Sequence, residues 1–271
     1  MITQTEKAKT FKSLHERAGT FIIPNPWDLG SARLLANLGF EALATTSGGF
    51  AASLGRMDGE MTRGETIEHC RQLCASTDLP LSADLENCFG DEPKKAAETV
   101  LLAAQAGVVG GSIEDYTRNP KNPIYDFDLA VERVHAAVEA ARSLDFPFTL
   151  TARAENLLHG RNDLDDTIRR LQAFEAAGAD VLYAPALKTI EEVQLLTGAL
   201  NKPLNVLAPF VKGATVAQLA EAGAKRISVG GALTRVAFAS LIRAGREMQN
   251  QGSFEWTRDL ISGSEMQKLL S

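Results

Sequence analysis

The chain has 271 residues, 45% of them hydrophobic and 23% charged, which suits a soluble domain with a sizeable core and is close to the ~250 residues of one α/β barrel. A formal net charge of −6 without a Lys/Arg-rich run argues against a nucleic-acid partner, and no stretch approaches the ~20 apolar residues of a membrane span. Three cysteines, Cys70, Cys74 and Cys88, form no even framework, which points to a reducing, cytoplasmic compartment without structural disulfides.

Residues 1–17 mix charged and polar positions and carry no apolar signal core. A first strand is expected near residue 20, ending in Pro24-Asn25-Pro26-Trp27-Asp28. A second follows Gly39, starts near 41 and ends in Thr45-Thr46-Ser47-Gly48-Gly49. Cys70 and Cys74 lie four apart on the next helix and read as buried residues of one face. Pro80 opens the third strand, which runs into Asp84-Leu85-Glu86-Asn87. A helix over 92–106 stops at Gly107, and the fourth strand starts near 109 and ends in Glu114-Asp115. A helix over 127–143 leads to Pro147, which opens the fifth strand and its end, Arg153-Ala154-Glu155-Asn156. A helix over 163–177 and Gly178 precede the sixth strand near 180. A helix over 189–199 precedes the seventh, opened by Pro203 and containing Asn205. A helix over 214–222 and Gly223 precede the eighth, near 226, which ends in Ser228-Val229-Gly230-Gly231. A helix over about 232–250 follows, then Gly252 and a further helical segment from Phe254 to Leu270.

Apolar strands alternating with helices call for parallel pairing with both faces covered, and eight strands close a barrel. The fold class is therefore a single (β/α)8 TIM-type barrel over 1–271, with 251–271 as a C-terminal helical extension. An open doubly wound sheet is the alternative, but no Gly-x-Gly-x-x-Gly follows the first strand. The extension can pack on its own barrel or cover a neighbouring subunit.

Catalytic residues of this fold sit just past the C-terminal strand ends. Asp84 and Glu86 are two apart, so they face one side if the strand continues, and Glu114 comes from the adjacent strand. Any one of these acids alone reads as a solvated loop residue. Three together cannot share a small site ionised without a cation among them, and all-oxygen ligands favour Mg²⁺ or Mn²⁺ over zinc. Arg153 can pair with these acids or grip a substrate carboxylate with two prongs. Thr46-Ser47-Gly48-Gly49 offers a hydroxyl and open backbone amides to a small anion, although Gly-Gly is more often a plain turn. Among the histidines only His159 lies near the mouth. No Gly-x-Ser-x-Gly, His-Glu-x-x-His or P-loop occurs.

Five motifs, Pro24-Asn-Pro-Trp-Asp-Leu-Gly-Ser-Ala-Arg33, Thr46-Ser-Gly-Gly49, Ala83-Asp-Leu-Glu-Asn-Cys-Phe-Gly90, Ser112-Ile-Glu-Asp115 and Thr151-Ala-Arg-Ala-Glu155, together resemble the isocitrate lyase / phosphoenolpyruvate mutase superfamily from about residue 20 to 250. The resemblance implies Mg²⁺ held by Asp84, Glu86 and Glu114, partly through water, with Asp58 near it on the loop after strand two. It implies a substrate 2-oxo-carboxylate end held by Thr46, Ser47, Gly48, Gly49, Asp84, Arg153 and Asn205, with Arg153, Asp58 and Glu114 in catalytic roles. It also implies a homotetramer, a dimer of dimers that swap a C-terminal helix.

The isocitrate and methylisocitrate lyases carry a Lys-(Lys/Arg)-Cys-Gly-His loop after strand four. The corresponding stretch here, Asp115 to Asp126, has no Cys and no His, which argues against both activities. The expected function is a Mg²⁺-dependent lyase or decarboxylase of a small 2-oxo or 2-hydroxy (di)carboxylate, working through a metal-stabilised enolate. Tyr116, Asn122, His159 or a water is the expected proton donor. The alternatives are a C–P enzyme of the phosphoenolpyruvate mutase or phosphonopyruvate hydrolase type, faintly echoed in Lys121 and Asn122, and a non-catalytic oxo-acid binder.

Overall fold

Each apolar run opened by Pro or set off by a helix-ending Gly becomes a strand in the computed structural model, which describes residues 2–271. The strands are β1 (Phe21–Ile23), β2 (Leu43–Ala44), β3 (Leu81–Asp84), β4 (Gly110–Glu114), β5 (Thr149–Arg153), β6 (Val181–Tyr183), β7 (Leu204–Leu207) and β8 (Arg226–Ser228). They form one parallel sheet in the order β1-β8-β7-β6-β5-β4-β3-β2. This is a TIM barrel closed except for a seam between β1 and β2. Side-chain chemistry bridges that seam. Ala44 N–H donates to Pro24 O at 3.1 Å, and Asn25 Nδ2 donates to the carbonyls of Ala44 and Thr45 at 3.1 and 3.0 Å. Asn25 Oδ1 accepts from Val229 N at 3.0 Å, so one buried amide ties three strand ends together.

The helices are α1 (Gln4–Glu16), α2 (Leu29–Asn37), α3 (Ser47–Ser53), α4 (Arg63–Ser76), α5 (Pro93–Gln105), α6 (Phe127–Arg142), α7 (Leu164–Ala176), α8 (Ile190–Ala199), α9 (Val216–Glu221), α10 (Ala232–Gln251) and α11 (Gly263–Leu270). Gly107 and Gly178 take φ of 104° and 102° just past α5 and α7, the left-handed helix ending their positions predicted.

The polar N-terminus hides a helix. Thr3 and Glu6 form a capping box that starts α1. Ala8, Phe11 and Leu14 recur at helical spacing and are buried against Phe21, Ile23, Ala42 and Val109, so α1 plugs the N-terminal end of the barrel. A Cβ on Gly110 would lie 2.8 Å from the Phe11 ring, which is why a strand position there holds glycine.

The main core lies outside the barrel wall. Leu81, Leu150, Ala152, Leu182, Val206 and Ile227 point outward to meet Val100, Val134, Leu171, Phe174 and Leu196 of the helices. The alternate positions, pointing inward, carry Ser82, Ser112, Thr151, Asn205 and Ser228. The axis of this barrel is therefore polar and small-residue-lined where such barrels usually stack branched aliphatics.

The helical stretch expected over 254–270 is two pieces, a 3₁₀ turn at Glu255–Asp259 and then α11, because Ser262 caps a new helix by accepting from Glu265 N at 3.2 Å. α11 packs on its own α2, with Asn37 Nδ2 donating to Leu269 O at 2.9 Å. α10 instead leaves Val236, Leu241 and Ile242 at least half exposed. Among the described residues no helix is long and apolar enough to cross a membrane.

His15 and His69 are buried, the first donating Nδ1–H to Phe11 O at 2.8 Å and the second stacked on Phe50 at 3.8 Å. Burial lowers them from 6.5 to about 3 and about 4. As pH falls below 6.5 the unfolded chain takes up these protons first, so stability is full above that pH and declines below it, by ~1.4 kcal/mol per pH unit per fully titrating group. Urea unfolding between about pH 6.5 and 5 should show this decline, and His69→Gln should make it shallower. An unchanged slope in the variant contradicts the neutral burial of His69.

Candidate active site

β5 ends in Arg153, and its guanidinium gathers the acids of the barrel mouth. Nε donates to Glu155 Oε1 at 2.8 Å, one terminal nitrogen to Asp84 Oδ1 at 3.0 Å, and the other lies 3.3 Å from Glu114 Oε2. The plane also sits 5.0 Å over the Tyr183 ring. Burial alone would lower the pKa of this arginine, yet Glu155, Glu114 and Asp84 raise it well above its ordinary value.

Asp84, the last residue of β3, connects this hub to the next loop. Its N–H donates to Thr45 Oγ1 at 2.7 Å, and its Oδ2 accepts from Ser47 N at 3.1 Å. Thr46 caps α3, its hydroxyl accepting from Gly49 N at 3.3 Å, so Ser47 and Gly48 occupy a helical first turn, whose amides lack intrahelical partners. Gly49 is sterically required and Gly48 is tightly fitted. A Cβ on Gly48 would meet Asp58 Oδ2 at 3.1 Å, and one on Gly49 would lie 2.6 Å from Thr46 and 2.7 Å from Thr234. Asp58 thus lies over the Ser47-Gly48 turn. Burial and the Asp84 charge raise its pKa.

Glu86 departs from the expected geometry. β3 stops at Asp84, and Glu86 takes φ of 50°, so chain reversal and not strand alternation places it. The loop is fixed from beneath by the buried Arg133, which donates to the carbonyls of Asn87, Gly90 and Asp91. Glu86 Oε2 pairs with Arg118, while its buried Oε1 has no partner. Burial and Asp84 push it up to about 7. Burial likewise holds Glu114 well above the usual carboxylate range, and Glu155 and Asp84 add to it against Arg153.

Asp84, Glu86 and Glu114, expected to meet at one ion, do not form a ready-made cluster of ligands. Among the described residues no three Asp, Glu, His or Cys side chains sit close enough to hold an ion unaided. Asp84 and Glu114 share Arg153, and Glu86 leans on Arg118; guanidinium groups supply the positive charge that buried acids demand. The donor set still fits a hard divalent cation that keeps several waters. The orphaned Oε1 of Glu86 and the raised pKa of Glu114 both mark negative charge short of positive partners.

These residues face a cavity of about 340 Å³ that descends the barrel axis. Thr46, Ser47, Gly48, Asp58, Asp84, Arg153 and Asn205 all line it; Gly49, Glu86 and Glu114 support it from behind. Asn205 donates to Ser228 Oγ at 2.9 Å and accepts from Arg226 Nε at 2.8 Å. The candidate proton donors Tyr116, Asn122 and His159 do not line the cavity. His159 stacks on Tyr116 at 3.7 Å and lies 3.6 Å from Glu155, so it braces the Arg153 hub from outside. Cys88 is buried in the loop after β3, with its thiol pushed up to about 12 by burial.

Two cavity residues escaped the sequence reading. Tyr183 ends β6, where Tyr-Ala-Pro looks apolar, and Arg226 opens β8, at the strand end opposite to the one that carries chemistry in this fold. Inward register, visible from strand alternation alone, was the available signal for both.

Residues 11–249 match a family model described as phosphoenolpyruvate phosphomutase. A solved structure from Burkholderia cenocepacia J2315, described only as a lyase/mutase, is 52% identical, covers 99% of this chain and 96% of its own, and superposes with a TM-score of 0.96. The oxaloacetate decarboxylase of Paraburkholderia xenovorans is 28% identical over 75% of this chain and 69% of its own. The 2-methylisocitrate lyase of Escherichia coli is 29% identical over 72% of this chain and 68% of its own.

Arg153→Met would strand Asp84, Glu114 and Glu155 without their shared cation. Unfolding at pH 8 should cost roughly 3–5 kcal/mol less than for wild type. Burial already raises the pKa of Glu114, so its protonation should return part of that loss at pH 5. Equal stability of variant and wild type at pH 8 contradicts the hub.

Proposed function

Because the chain belongs to the phosphoenolpyruvate phosphomutase family, within the isocitrate lyase / phosphoenolpyruvate mutase superfamily, we propose that it is a divalent-metal-dependent lyase or decarboxylase that cleaves a C–C bond in a small 2-oxo or 2-hydroxy (di)carboxylate. The observation that carries this reading is Arg153, held by three acids at the lip of a cavity that also presents Ser47, Gly48 and Asp84. Such a lip suits a 2-oxo-carboxylate end. The turn amides and the Ser47 hydroxyl meet its oxygens, and Arg153 faces the oxygen on which charge grows as the bond breaks.

Asp84, Glu86 and Glu114 are the residues that would hold the cation, Mg²⁺ or Mn²⁺, partly through its own water. When bound, it acts as a Lewis acid toward the substrate's oxo group and carboxylate. Arg153 stabilises the developing enolate electrostatically, and its three acid partners keep it charged and fixed in place. Asp58, next to Ser47 with a raised pKa, is the group placed to take a proton from a 2-hydroxy acid. Tyr183 is the cavity-lining hydroxyl available to return one, since burial pushes its phenol up to about 12 and keeps it protonated. The C–P alternative is in keeping with the matching family model, but neither Lys121 nor Asn122, its faint echo in the sequence, lines the cavity.

The helix expected to swap, over 254–270, packs through α11 on its own α2, whereas the apolar stripe of α10, with Val236 64% and Leu241 68% exposed, offers a neighbouring subunit a surface to cover in a homotetrameric, cytoplasmic enzyme. Sedimentation that returns a monomer at micromolar concentration would remove that part.

A panel of small oxo and hydroxy acids, assayed for oxo-acid product with Mg²⁺ and with a chelator, tests the function. Turnover of one panel member only with metal is the expected result. Glu114→Ala should abolish it in a folded protein, and Arg153→Lys should lower kcat/KM by ~10²–10³-fold, because an ammonium cannot reproduce a planar two-pronged contact. Full activity of Glu114→Ala at low metal concentration would sink the assignment.

A further inference from the structure

Among the described residues Arg226, like Arg133, is buried with no carboxylate beside it, but unlike Arg133 it borders the cavity. It opens β8 near the floor of the barrel, its side chain points into the axis, and it is only 5% exposed. Its hydrogen-bond partners are all neutral. Nε donates to Asn205 Oδ1 at 2.8 Å and one terminal nitrogen to Thr151 Oγ1 at 3.0 Å. The other approaches His15 Nε2 at 3.4 Å. His15 donates its Nδ1–H to Phe11 O, so Nε2 is a bare acceptor and the ring is uncharged. Among the described residues no carboxylate lies within ion-pair distance of Arg226, in contrast to Arg153 and to the buried Arg170, which holds Asp115 and Asp166. Burial and the like charge of Arg153 bring its pKa down to about 10, which leaves it cationic at neutral pH.

Buried charges in proteins are paired, because removing an ion from water costs several kcal/mol even after relaxation. A second, independent feature says what the missing partner is. The cavity that begins at Arg153 and the Ser47-Gly48 turn reaches Arg226, and between the two ends it is lined by Ser82, Ser112 and Ser228. Residues of that size keep the axis open, and their hydroxyls can donate to oxygens along it. The result is a shaft of about 340 Å³ with an arginine at the lip and another at the floor. That volume is in the range of small-molecule sites.

We propose that Arg226 is a substrate-specificity residue, the floor subsite that takes the second carboxylate of a dicarboxylic substrate whose oxo-acid end sits at the lip. The proposal rests on the function inferred above and narrows it, from oxo or hydroxy acids in general to those with a carboxylate at both ends. The network around Arg226 then has a purpose beyond tying α1 to the barrel. Asn205, Thr151 and His15 hold the guanidinium in one orientation without neutralising it, so its field stays available to the ligand.

The test is binding, measured by calorimetry and thermal shift in chelator so that neither turnover nor metal enters. The probes are malonate, succinate and malate against acetate, butyrate and lactate. Wild type should bind the diacids at least tenfold more tightly than the monoacids, and Arg226→Gln should erase that preference while leaving monoacid binding within about threefold. Arg226→Gln without ligand should melt no lower than wild type, because an uncompensated buried charge has been removed. A purely structural arginine gives the reverse pattern, with a lowered melting temperature and an intact diacid preference, and that result overturns the proposal. So does stabilisation of wild type by chloride or sulfate alongside equal binding of diacids and monoacids, which would make the occupant an inorganic anion. If Arg226→Gln does not fold, a wild-type crystal structure with malate decides: a carboxylate on Arg226 supports the subsite, and malate bound only at the lip refutes it. Diacid binding that depends on Arg226 in a protein with no lyase activity would separate failure of the function from failure of the subsite.

Discussion

The Arg153 guanidinium lies among Asp84, Glu114 and Glu155, and the architecture of the mouth follows from keeping those four charges together. Each acid comes from a strand end next to another, so the registers of β3, β4 and β5 fix how far apart the carboxylates stand. Glu114 pairs directly with Arg153 in the ladder, and the pairing of Asp84 with Ser112 sets the level of the third. The acids offset the cost of burying the cation, and the cation offsets the cost of burying the acids. The hub is braced outward through Glu155, whose Oε2 lies 3.6 Å from His159 Nε2, and through Asp115, whose carboxylate accepts from Glu155 N and from the buried Arg170.

This organisation separates two tasks that many enzymes combine. The residues proposed to carry chemistry, Asp58, Asp84, Glu86 and Arg153, stand on strand ends and the loops just beyond them. The pieces that resist unfolding, such as Leu150, Leu171 and Phe174, stand between the barrel wall and its helices. The strained positions gather with the first group. Glu86, Cys88, Phe89 and Arg118 all adopt positive φ, and a clamp from Arg133 to three carbonyls of the loop after β3 holds that conformation.

Much of this was legible in the chain. Strand starts followed from Pro80, Pro147, Pro203 and the helix-ending glycines, because these residues act through local backbone chemistry that needs no tertiary context. Arg153, Asp84 and the Ser47-Gly48 turn were legible because they are polar residues at apolar strand ends. Glu86 was misplaced in its geometry because alternation holds only while the strand lasts, and nothing in Asp-Leu-Glu-Asn announces that it stops at Asp84. α1 was hidden because its buried face has only three apolar residues, Ala8, Phe11 and Leu14, beside His15 and among many charges. Asn25 looked like one more turn residue between prolines. Its work in closing the β1–β2 seam depends on partners twenty and two hundred residues away in sequence.

The polar axis has a consequence for how such a protein changes over generations. A barrel with aliphatic layers down its centre cannot alter an inward residue without leaving a void or a clash in its own core. Here Ser82, Ser112, Ser228 and Asn205 border open space, while packing energy resides on the other face of the same strands. Substitutions along the axis can therefore reshape what fits inside at little expense to folding. The scaffold is predisposed to evolutionary drift in selectivity, with the chemical lip held constant above it.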